Sequence, residues 1–329
     1  MSNRQYIAID DGSSQIKLMV DGEVTIVKST VVNEARGDSE NFSDSAYYVG
    51  GHLFTVLDRA EQPLPTNFDQ FQYSDLNRVL VNEALRLAGL GGREIVVGVT
   101  LPIDQFFKKG RGSIPNKEII EQKKESLLKP VDNLGGCGLA KIVEVHVFPE
   151  AIPAAVDVMT NINNGSLKMK DQYKEGFDQI CCIDVGGYTV DISVFDPYTS
   201  IISKKDSFNG GVIEVVEDLQ GALASLSMTN TNVRQYIAHQ ALLARKFRGQ
   251  DIGHIIDEIA ASLRSRVKSY LQKLADESMT ELFILVGGGA PLVEQAVIDY
   301  AGVEKTVVPQ NSDLSILRGI NKMLQLKAN

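Results

Sequence analysis

The sequence predicts an α/β protein built from two similar halves, and two observations carry this prediction. Strands that alternate with helices recur along the chain, a pattern typical of α/β layers. One strand–turn–strand segment also occurs twice, as IDDGSSQIKL at residues 9–18 and as IDVGGYTVDIS at residues 183–193. A plan repeated over such a distance indicates a duplicated architecture and not a short tandem repeat.

The first half opens with strands and continues with helices and strands in alternation. Asp21 and Gly22 predict a hairpin turn between the second and third strands, and Ser74 predicts a helix cap. The polar residues 33–73 predict a small inserted subdomain, either a contact surface or a merely solvated one. The predicted strands are residues 6–9, 15–20, 23–28, 94–100 and 141–148, and the predicted helices are 75–88, 116–129 (a charged surface helix) and 150–159.

The second half repeats this plan after residues 161–176, which predict a polar loop. We therefore expect domain I to span residues 1–160 and domain II to span residues 161–329, with a helical subdomain at about 212–277. A strand is expected from residue 179, before the second hairpin tip. The later predicted elements are strands at 200–207, 281–286 and 306–308, and helices at 212–227, 231–247, 252–277, 291–300 and from about 312.

Composition argues against several classes of protein. The 329 residues, 43% of them apolar and 23% charged, suffice to bury the cores of two domains. The net charge of −9 argues against broad binding to nucleic acid or to an anionic membrane. The three cysteines have no metal-ligand spacing, and the sequence holds neither an 18-residue apolar run nor a signal-peptide pattern. We therefore expect a cytoplasmic protein that does not enter membranes.

The two acidic hairpin tips are the main candidates for a binding site. Backbone N–H and hydroxyl groups of a Gly/Ser/Thr turn can bind an anion, and an adjacent Asp can hold a hard cation directly or through water. If the tips at Asp10 and Asp184 face each other, they can bind a Mg-bound polyphosphate from both sides. A plain hairpin turn is the alternative for the first tip, whereas Gly186, Gly187 and Asp191 exceed what a turn requires.

Two charged residues lie where they could assist such a site. Lys17 leaves the first tip on a strand and could reach a phosphate, or it could be an ordinary exposed lysine. Glu150 stands at the first turn of a helix, directly after a strand. It either stabilises the positive end of that helix or orients a water molecule for attack on a phosphate.

Three successive glycines, Gly287, Gly288 and Gly289, lie between a predicted strand and a predicted helix. They form either a plain connection or a loop over which a flat ligand lies, because three glycines cost entropy unless a close backbone approach requires them. The sequence contains no phosphate-binding P-loop, and this run is not the dinucleotide fingerprint. The four histidines lie apart and have no ligand spacing.

Taken in order, these segments resemble the actin, Hsp70 and sugar-kinase superfamily. The segments that resemble its two phosphate loops, two connecting helices and adenosine motif are residues 10–17, 150–155, 184–191, 285–290 and 317–320. Within the superfamily, the chain is most similar to the ParM (StbA) plasmid-segregation ATPases. That similarity rests on IDDGS at 9–13, FQYSD at 71–75 and PEAIP at 149–153.

The resemblance implies an actin-like (ribonuclease H-like) duplicated fold with a nucleotide cleft between its two domains. It implies ATP or GTP with Mg²⁺ as cofactors, Asp10 and Asp184 as metal ligands, and Glu150 and Asp184 as catalytic residues. Tyr188 departs from the small residue usual in the second loop, which leaves Thr189 as the hydroxyl ligand. The implied nucleotide-binding residues are Asp10, Asp11, Gly12, Ser13, Ser14, Lys17, Gly186, Gly187, Thr189, Gly287, Gly288 and Gly289.

The function that the resemblance implies is a filament-forming ATPase. The protein would assemble head to tail with copies of itself and would reach plasmid DNA only indirectly, through an adaptor bound to centromeric DNA. A small-metabolite kinase of the same fold is the alternative, and it would require an acceptor pocket. A Hsp70-like regulatory ATPase is a third class, and the end of the sequence at Asn329 without a peptide-binding domain counts against it.

Overall fold

A computed structural model describes residues 4–37, 42–108, 113–163, 165–173, 176–226 and 233–328. In the first part of the chain, strands and helices alternate as the sequence predicts. The elements in chain order are β1 (Gln5–Asp11), β2 (Gln15–Val20), β3 (Glu23–Lys28), β4 (Val31–Val32), β5 (Ala46–Val49), β6 (His52–Val56), α1 (Asp75–Leu87), β7 (Glu94–Leu101), α2 (Ile103–Phe106), α3 (Lys117–Leu128), β8 (Asp132–Asn133), β9 (Lys141–Pro149), α4 (Ala151–Met159), β10 (Thr160–Asn163) and β11 (Ser166–Met169).

The second part of the chain continues the alternation and adds a group of helices. Its elements are β12 (Ile180–Val185), β13 (Thr189–Phe195), β14 (Ile202–Asn209), α5 (Val212–Leu226), α6 (Gln235–Ala244), β15 (Lys246–Phe247), β16 (Gln250–Asp251), α7 (Gly253–Leu274), β17 (Leu282–Val286), α8 (Ala290–Ala301), β18 (Thr306–Val307) and α9 (Ser315–Ala328). Short 3₁₀ helices lie at Phe71–Tyr73, Asp171–Tyr173, Val303–Lys305 and Ser312–Leu314. None of the helices in the described ranges combines the length and the hydrophobicity needed to cross a membrane.

The chain divides into two units. Unit 1 consists of Met1–Gly176 together with Leu314–Asn329, and unit 2 is Phe177–Asp313. The sequence predicted a boundary at residue 160, whereas unit 1 extends to Gly176 and also includes the C-terminal helix α9. The reason is packing: a Cβ on Gly98 of β7 would lie 2.9 Å from Ile320 and 2.8 Å from Leu324, so α9 rests directly on that strand.

Unit 1 is built on a five-stranded sheet in the order β3-β2-β1-β7-β9. The first three strands are antiparallel, whereas β1, β7 and β9 are parallel. Strand β7 is almost wholly apolar and buried, as expected for a parallel strand covered on both faces. Ser74 caps α1 as predicted, since its side chain accepts a hydrogen bond from the Asn77 N–H (3.2 Å).

The inserted part of unit 1 differs in two respects from the sequence prediction. Its four-stranded sheet has the order β4-β6-β5-β8, so it begins at Val31 and takes its last strand from residues 132–133. The segment 33–73 therefore does not form a subdomain by itself. Residues 161–176 were expected to be a loop, but β10 and β11 pair there as a hairpin. Strand β8 has only two residues and β10 and β11 have four each, which is too short for a periodic pattern to identify them.

Unit 2 repeats the sheet of unit 1. Its five strands have the order β14-β13-β12-β17-β18, with an antiparallel hairpin on one side and parallel strands on the other. Apolar residues of this sheet and of α5, α6, α7 and α8 form one buried core. The same strand order in both units confirms the predicted duplication: each unit is an α/β structure built on one five-stranded sheet.

Candidate functional site

The tip of the β1–β2 hairpin brings an acidic and a basic side chain together. Asp10 and Lys17 are directly paired across the two strands. The Lys17 Nζ lies 3.6 Å from an Asp10 carboxylate oxygen, and both side chains are only about one-seventh exposed (13% and 14%). An ammonium next to a carboxylate at a turn can attract a phosphate and a divalent cation at the same place.

Ser29 forms two hydrogen bonds to the loop between these strands, residues 12–14. The Ser29 backbone N–H donates to the carbonyl of Ser14 (3.1 Å), and its hydroxyl donates to the carbonyl of Gly12 (3.4 Å). Both bonds use carbonyl groups of the loop as acceptors. Ser13 and Ser14 are partly exposed. The structure therefore places Asp10, the loop and Lys17 together, as the sequence predicts, while nucleotide binding by them stays a prediction.

The side chain of Asp11 lies on the opposite face of β1 from that of Asp10, which argues against phosphate binding by its carboxylate. Its side chain is fully buried, and its carboxylate accepts hydrogen bonds from Lys123 Nζ and from Asn77 Nδ2 (3.1 Å). The Thr100 N–H also donates to it (3.4 Å). These partners occupy the carboxylate inside unit 1, so the structure gives no support to direct phosphate binding by Asp11. Sequence reasoning treated the doubled Asp as one motif and could not separate its two members.

Glu150 directly follows β9 and precedes α4. Its backbone N–H donates to the carbonyl of Leu101 (3.2 Å), which ties it to the end of β7. It has helical dihedral angles at the N-cap position of α4, and its side chain is partly buried. A carboxylate at the positive end of a helix is stabilised in its charged form. This placement fits both of the roles that the sequence left open.

The β12–β13 hairpin of unit 2 carries the second acidic tip. Asp184 and Asp191 are paired across the strands, and the Gly186 N–H donates to the carbonyl of Thr189 (2.9 Å). The Thr189 hydroxyl donates to Asp191 Oδ2 (2.9 Å). Since its proton is used in this bond, the Thr189 oxygen is set to accept or to coordinate rather than to donate.

The first residues of α5 form backbone hydrogen bonds to this tip, and sequence reasoning did not predict these bonds. The N–H groups of Val212 and Ile213 donate to the carbonyls of Gly186 (3.0 Å) and Gly187 (2.9 Å). A Cβ on Gly211 would lie 2.3 Å from the Gly186 carbonyl oxygen, so only glycine fits there. The available signal was the Gly210–Gly211 pair directly before a predicted helix.

The three glycines after β17 lie against the same tip. Gly287 has a positive φ of +88°, and a Cβ there would lie 2.4 Å from an Asp184 carboxylate oxygen. The Gly289 N–H donates to the carbonyl of Val185 (2.9 Å), and a Cβ on Gly289 would lie 2.4 Å from the Val185 side chain. Close packing therefore already requires two of the three glycines. Only Gly288 has open space around its Cβ position.

Lys123 is the charged residue near the site that sequence reasoning missed. Helix α3 was predicted to be a charged surface helix, yet the Lys123 side chain is 0% exposed. Burial lowers the pKa of Lys123, and the negative charges of Asp11 and Glu150 act in the opposite direction. Its partners come from distant parts of the sequence, so a local pattern carries no signal for it.

Comparison with known proteins places this fold and these hairpins in the actin-like class. Residues 5–161 match the family model for the N-terminal domain of the plasmid segregation protein ParM (StbA). Residues 182–299 match the C-terminal model of the archaeal actin homologue MreB-like proteins. The chain thus belongs to the actin-like proteins, and its N-terminal half is a ParM/StbA domain, which confirms the family predicted from the sequence. Comparison with curated protein sequences gives no match.

Solved structures with the same fold are distant in sequence. The archaeal actin homologue Ta0583 superposes with a TM-score of 0.74 at 19% identity, over 97% of this chain and 99% of that one. The apo pSK41 ParM protein gives 0.67 at 17% identity, over 99% of both chains. A ParM from a 15-stranded filament of Clostridium botulinum gives 0.69 at 18% identity, over 98% and 99%. These likenesses establish the fold.

Proposed function

We propose that this chain is an actin-like ATPase that assembles into filaments in the cytoplasm and segregates plasmid DNA. The observation that carries the proposal is the repeated acidic hairpin, which occupies the same place in both five-stranded sheets. The ParM/StbA domain at residues 5–161 supports the segregation role. A complex of the archaeal actin homologue with ADP supports a nucleotide as the ligand.

Each hairpin tip carries groups that suit the phosphates of ATP or GTP and a Mg²⁺ ion. Mg²⁺ is held by one or two carboxylates and keeps several of its waters, and Asp10 and Asp184 provide carboxylates of that kind. Lys17 supplies a positive charge for phosphate, and Thr189 supplies a hydroxyl oxygen. The open space at Gly288 leaves room for the backbone to approach a ligand. Bound Mg²⁺ would neutralise negative charge on the phosphates.

Glu150 is the residue that we assign to hydrolysis. Its carboxylate accepts a hydrogen bond from water and orients the water oxygen toward the terminal phosphate. The bond between its backbone N–H and the carbonyl of Leu101 fixes the backbone of Glu150 beside the end of β7. Lys17 and the loop at residues 12–14 hold phosphate groups on the same unit.

Assembly is the second part of the proposal. The C. botulinum ParM and Alp12 were both solved as filaments, and a head-to-tail contact that does not close into a ring produces such an open polymer. Exposed Tyr48 and Leu53, paired on β5 and β6, offer an apolar contact in unit 1. With a net charge of −9, the protein would reach plasmid DNA through a centromere-binding adaptor and not directly.

Light scattering and electron microscopy after addition of Mg-ATP test the proposal. Scattering should rise above a critical protein concentration, filaments should be visible during the plateau, and the signal should fall as ATP is consumed. ADP should give no lasting polymer, and a nonhydrolysable ATP analogue should give polymer that persists. Flat scattering, together with turnover that a small acceptor metabolite stimulates, would instead establish a kinase of the same fold.

A further inference from the structure

Lys123 joins three separate segments of unit 1 at one buried point. Its ammonium donates to the Asp11 carboxylate at the end of β1, to Gln72 Oε1 in the 3₁₀ helix (2.8 Å) and to Asn77 Oδ1 in α1 (3.1 Å). An ammonium has three N–H donors, and here each one has its own acceptor. Gln72 in turn donates to the backbone carbonyl of Asp11 (3.3 Å).

The same cluster reaches Glu150 through β7. Asp11 Oδ1 accepts the N–H of Thr100, and the next residue, Leu101, accepts the N–H of Glu150. The charges of Lys123 and Glu150 also attract each other directly. Such attraction is weakly screened in a dry interior. One buried cation therefore contacts the end of β1, next to the phosphate-loop residues, and interacts electrostatically with Glu150, the residue assigned to orient water.

We propose that Lys123 is a positioning residue that fixes Glu150 relative to the loop of the β1–β2 hairpin. This inference rests on the proposed ATPase function. Lys123 is enclosed by protein, so it touches neither nucleotide nor water at the phosphate and acts through its buried partners and through its charge on Glu150. A displacement of about 1 Å in a reacting group can cost roughly 10²-fold in rate, so loss of this buried tie should affect hydrolysis more than binding.

The test compares Lys123→Met with Lys124→Met. Lys124 is the neighbouring residue of α3 and forms a surface ion pair with Glu121 (2.7 Å). Affinity for a fluorescent ATP analogue and the single-turnover rate of ATP hydrolysis are measured on each full-length variant. Lys123→Met should lower the rate by about 10-fold or more while the Kd changes by less than about threefold. Lys124→Met should leave both values within about twofold of the parent.

A second variant keeps the test decisive if Lys123→Met does not fold, because removing a buried cation leaves Asp11 unpaired. Gln72→Leu removes one acceptor of the ammonium and the bond to the Asp11 carbonyl, and it keeps both charges. It should lower the rate by about threefold or more at nearly constant Kd. A folded Lys123→Met with the parental rate overturns the inference. A Gln72→Leu variant with the parental rate also overturns it. A loss of nucleotide affinity as large as the loss of rate, in either variant, overturns it as well.

A hydrogen-exchange readout separates this inference from the proposed function. Without nucleotide, the amides of residues 10–17 should exchange faster in Lys123→Met than in the parent, while those of residues 184–191 in unit 2 should not change. If the parent protein does not hydrolyse ATP, the proposed function is refuted, and measurement of the parental rate is enough to show this. Unchanged exchange at residues 10–17 refutes the positioning role, whatever the parental rate is.

Discussion

Gly319 of α9 lies directly against the backbone carbonyl of Pro153 in α4: a Cβ at position 319 would lie 1.8 Å from that oxygen. The two helices can approach this closely only because position 319 has no side chain. Asp157 of α4 strengthens the contact, since it accepts a hydrogen bond from Ser315 Oγ (2.9 Å) and forms ion pairs with Arg318 (2.8 Å) and Lys322 (3.1 Å).

Gly319→Ala should therefore destabilise the protein. The added methyl forces α9 away from α4, and overpacking of this kind costs about 1–3 kcal/mol. Gly221→Ala is the matched control, because Gly221 also lies within a helix (α5) and nothing lies within 4 Å of its Cβ position. The control should gain about 0.5–1 kcal/mol. Urea unfolding followed by circular dichroism measures both, and equal effects would refute the close packing of α9.

Features that depend on neighbouring residues or on a periodic apolar pattern could be predicted from the sequence. Ser74 before α1 and the apolar β7 were predicted because capping and burial leave a mark within a few residues. The doubled hairpin was predicted because its turn chemistry is repeated. The Lys123–Asp11 pair and the placement of α9 in unit 1 could not be predicted, since each depends on a tertiary contact that no local pattern encodes. Strand β8 was missed because its two residues carry almost no periodic signal.

Glu83 of α1 forms hydrogen bonds to residues of the inserted sheet and of the loop before β5. Its carboxylate accepts hydrogen bonds from Tyr47 Oη (2.5 Å) and Ser45 Oγ (2.8 Å) and pairs with Arg86 (2.8 Å). Burial raises the pKa of Tyr47, and the neighbouring Glu83 charge raises it further, so Tyr47 keeps its proton and donates. Glu83→Ala leaves the buried Tyr47 hydroxyl without its acceptor and Arg86 without its carboxylate, and it should cost about 3 kcal/mol of unfolding free energy.

Glu121→Ala is the control for Glu83. Glu121 also pairs with a basic residue of its own helix, Lys124 (2.7 Å), but its side chain is 60% exposed. Exposed pairs of this kind contribute about 0.5 kcal/mol or less. Thermal and urea unfolding of the two variants should separate clearly. A loss at Glu83 no larger than the loss at Glu121 would show that the buried cluster does not hold the sheet to α1.

Asp184→Asn should weaken the use of Mg²⁺. Asp184 and Asp191 are paired across the β12–β13 hairpin, and a divalent cation would relieve the repulsion between their charges. We expect the Mg²⁺ concentration for half-maximal ATP hydrolysis to rise by about tenfold or more, because Mg²⁺ depends on few protein ligands. Asp196→Asn, at the opposite end of β13, should leave the Mg²⁺ titration unchanged. An unshifted curve for Asp184→Asn would remove this residue from the metal site.

Glu150→Ala should slow ATP hydrolysis by about 10²–10⁴-fold while nucleotide affinity stays near the parental value. The reason is position: Glu150 follows β9 directly, and its backbone is tied to Leu101 at the end of β7. Since ATP would still bind, the variant should assemble with ATP and the polymer should persist. Glu144→Ala is the control, because Glu144 lies in β9 itself and is half exposed. Phosphate release and light scattering are recorded together; turnover within a few-fold of the parent, or polymer that disassembles on the parental timescale, would refute the role of Glu150.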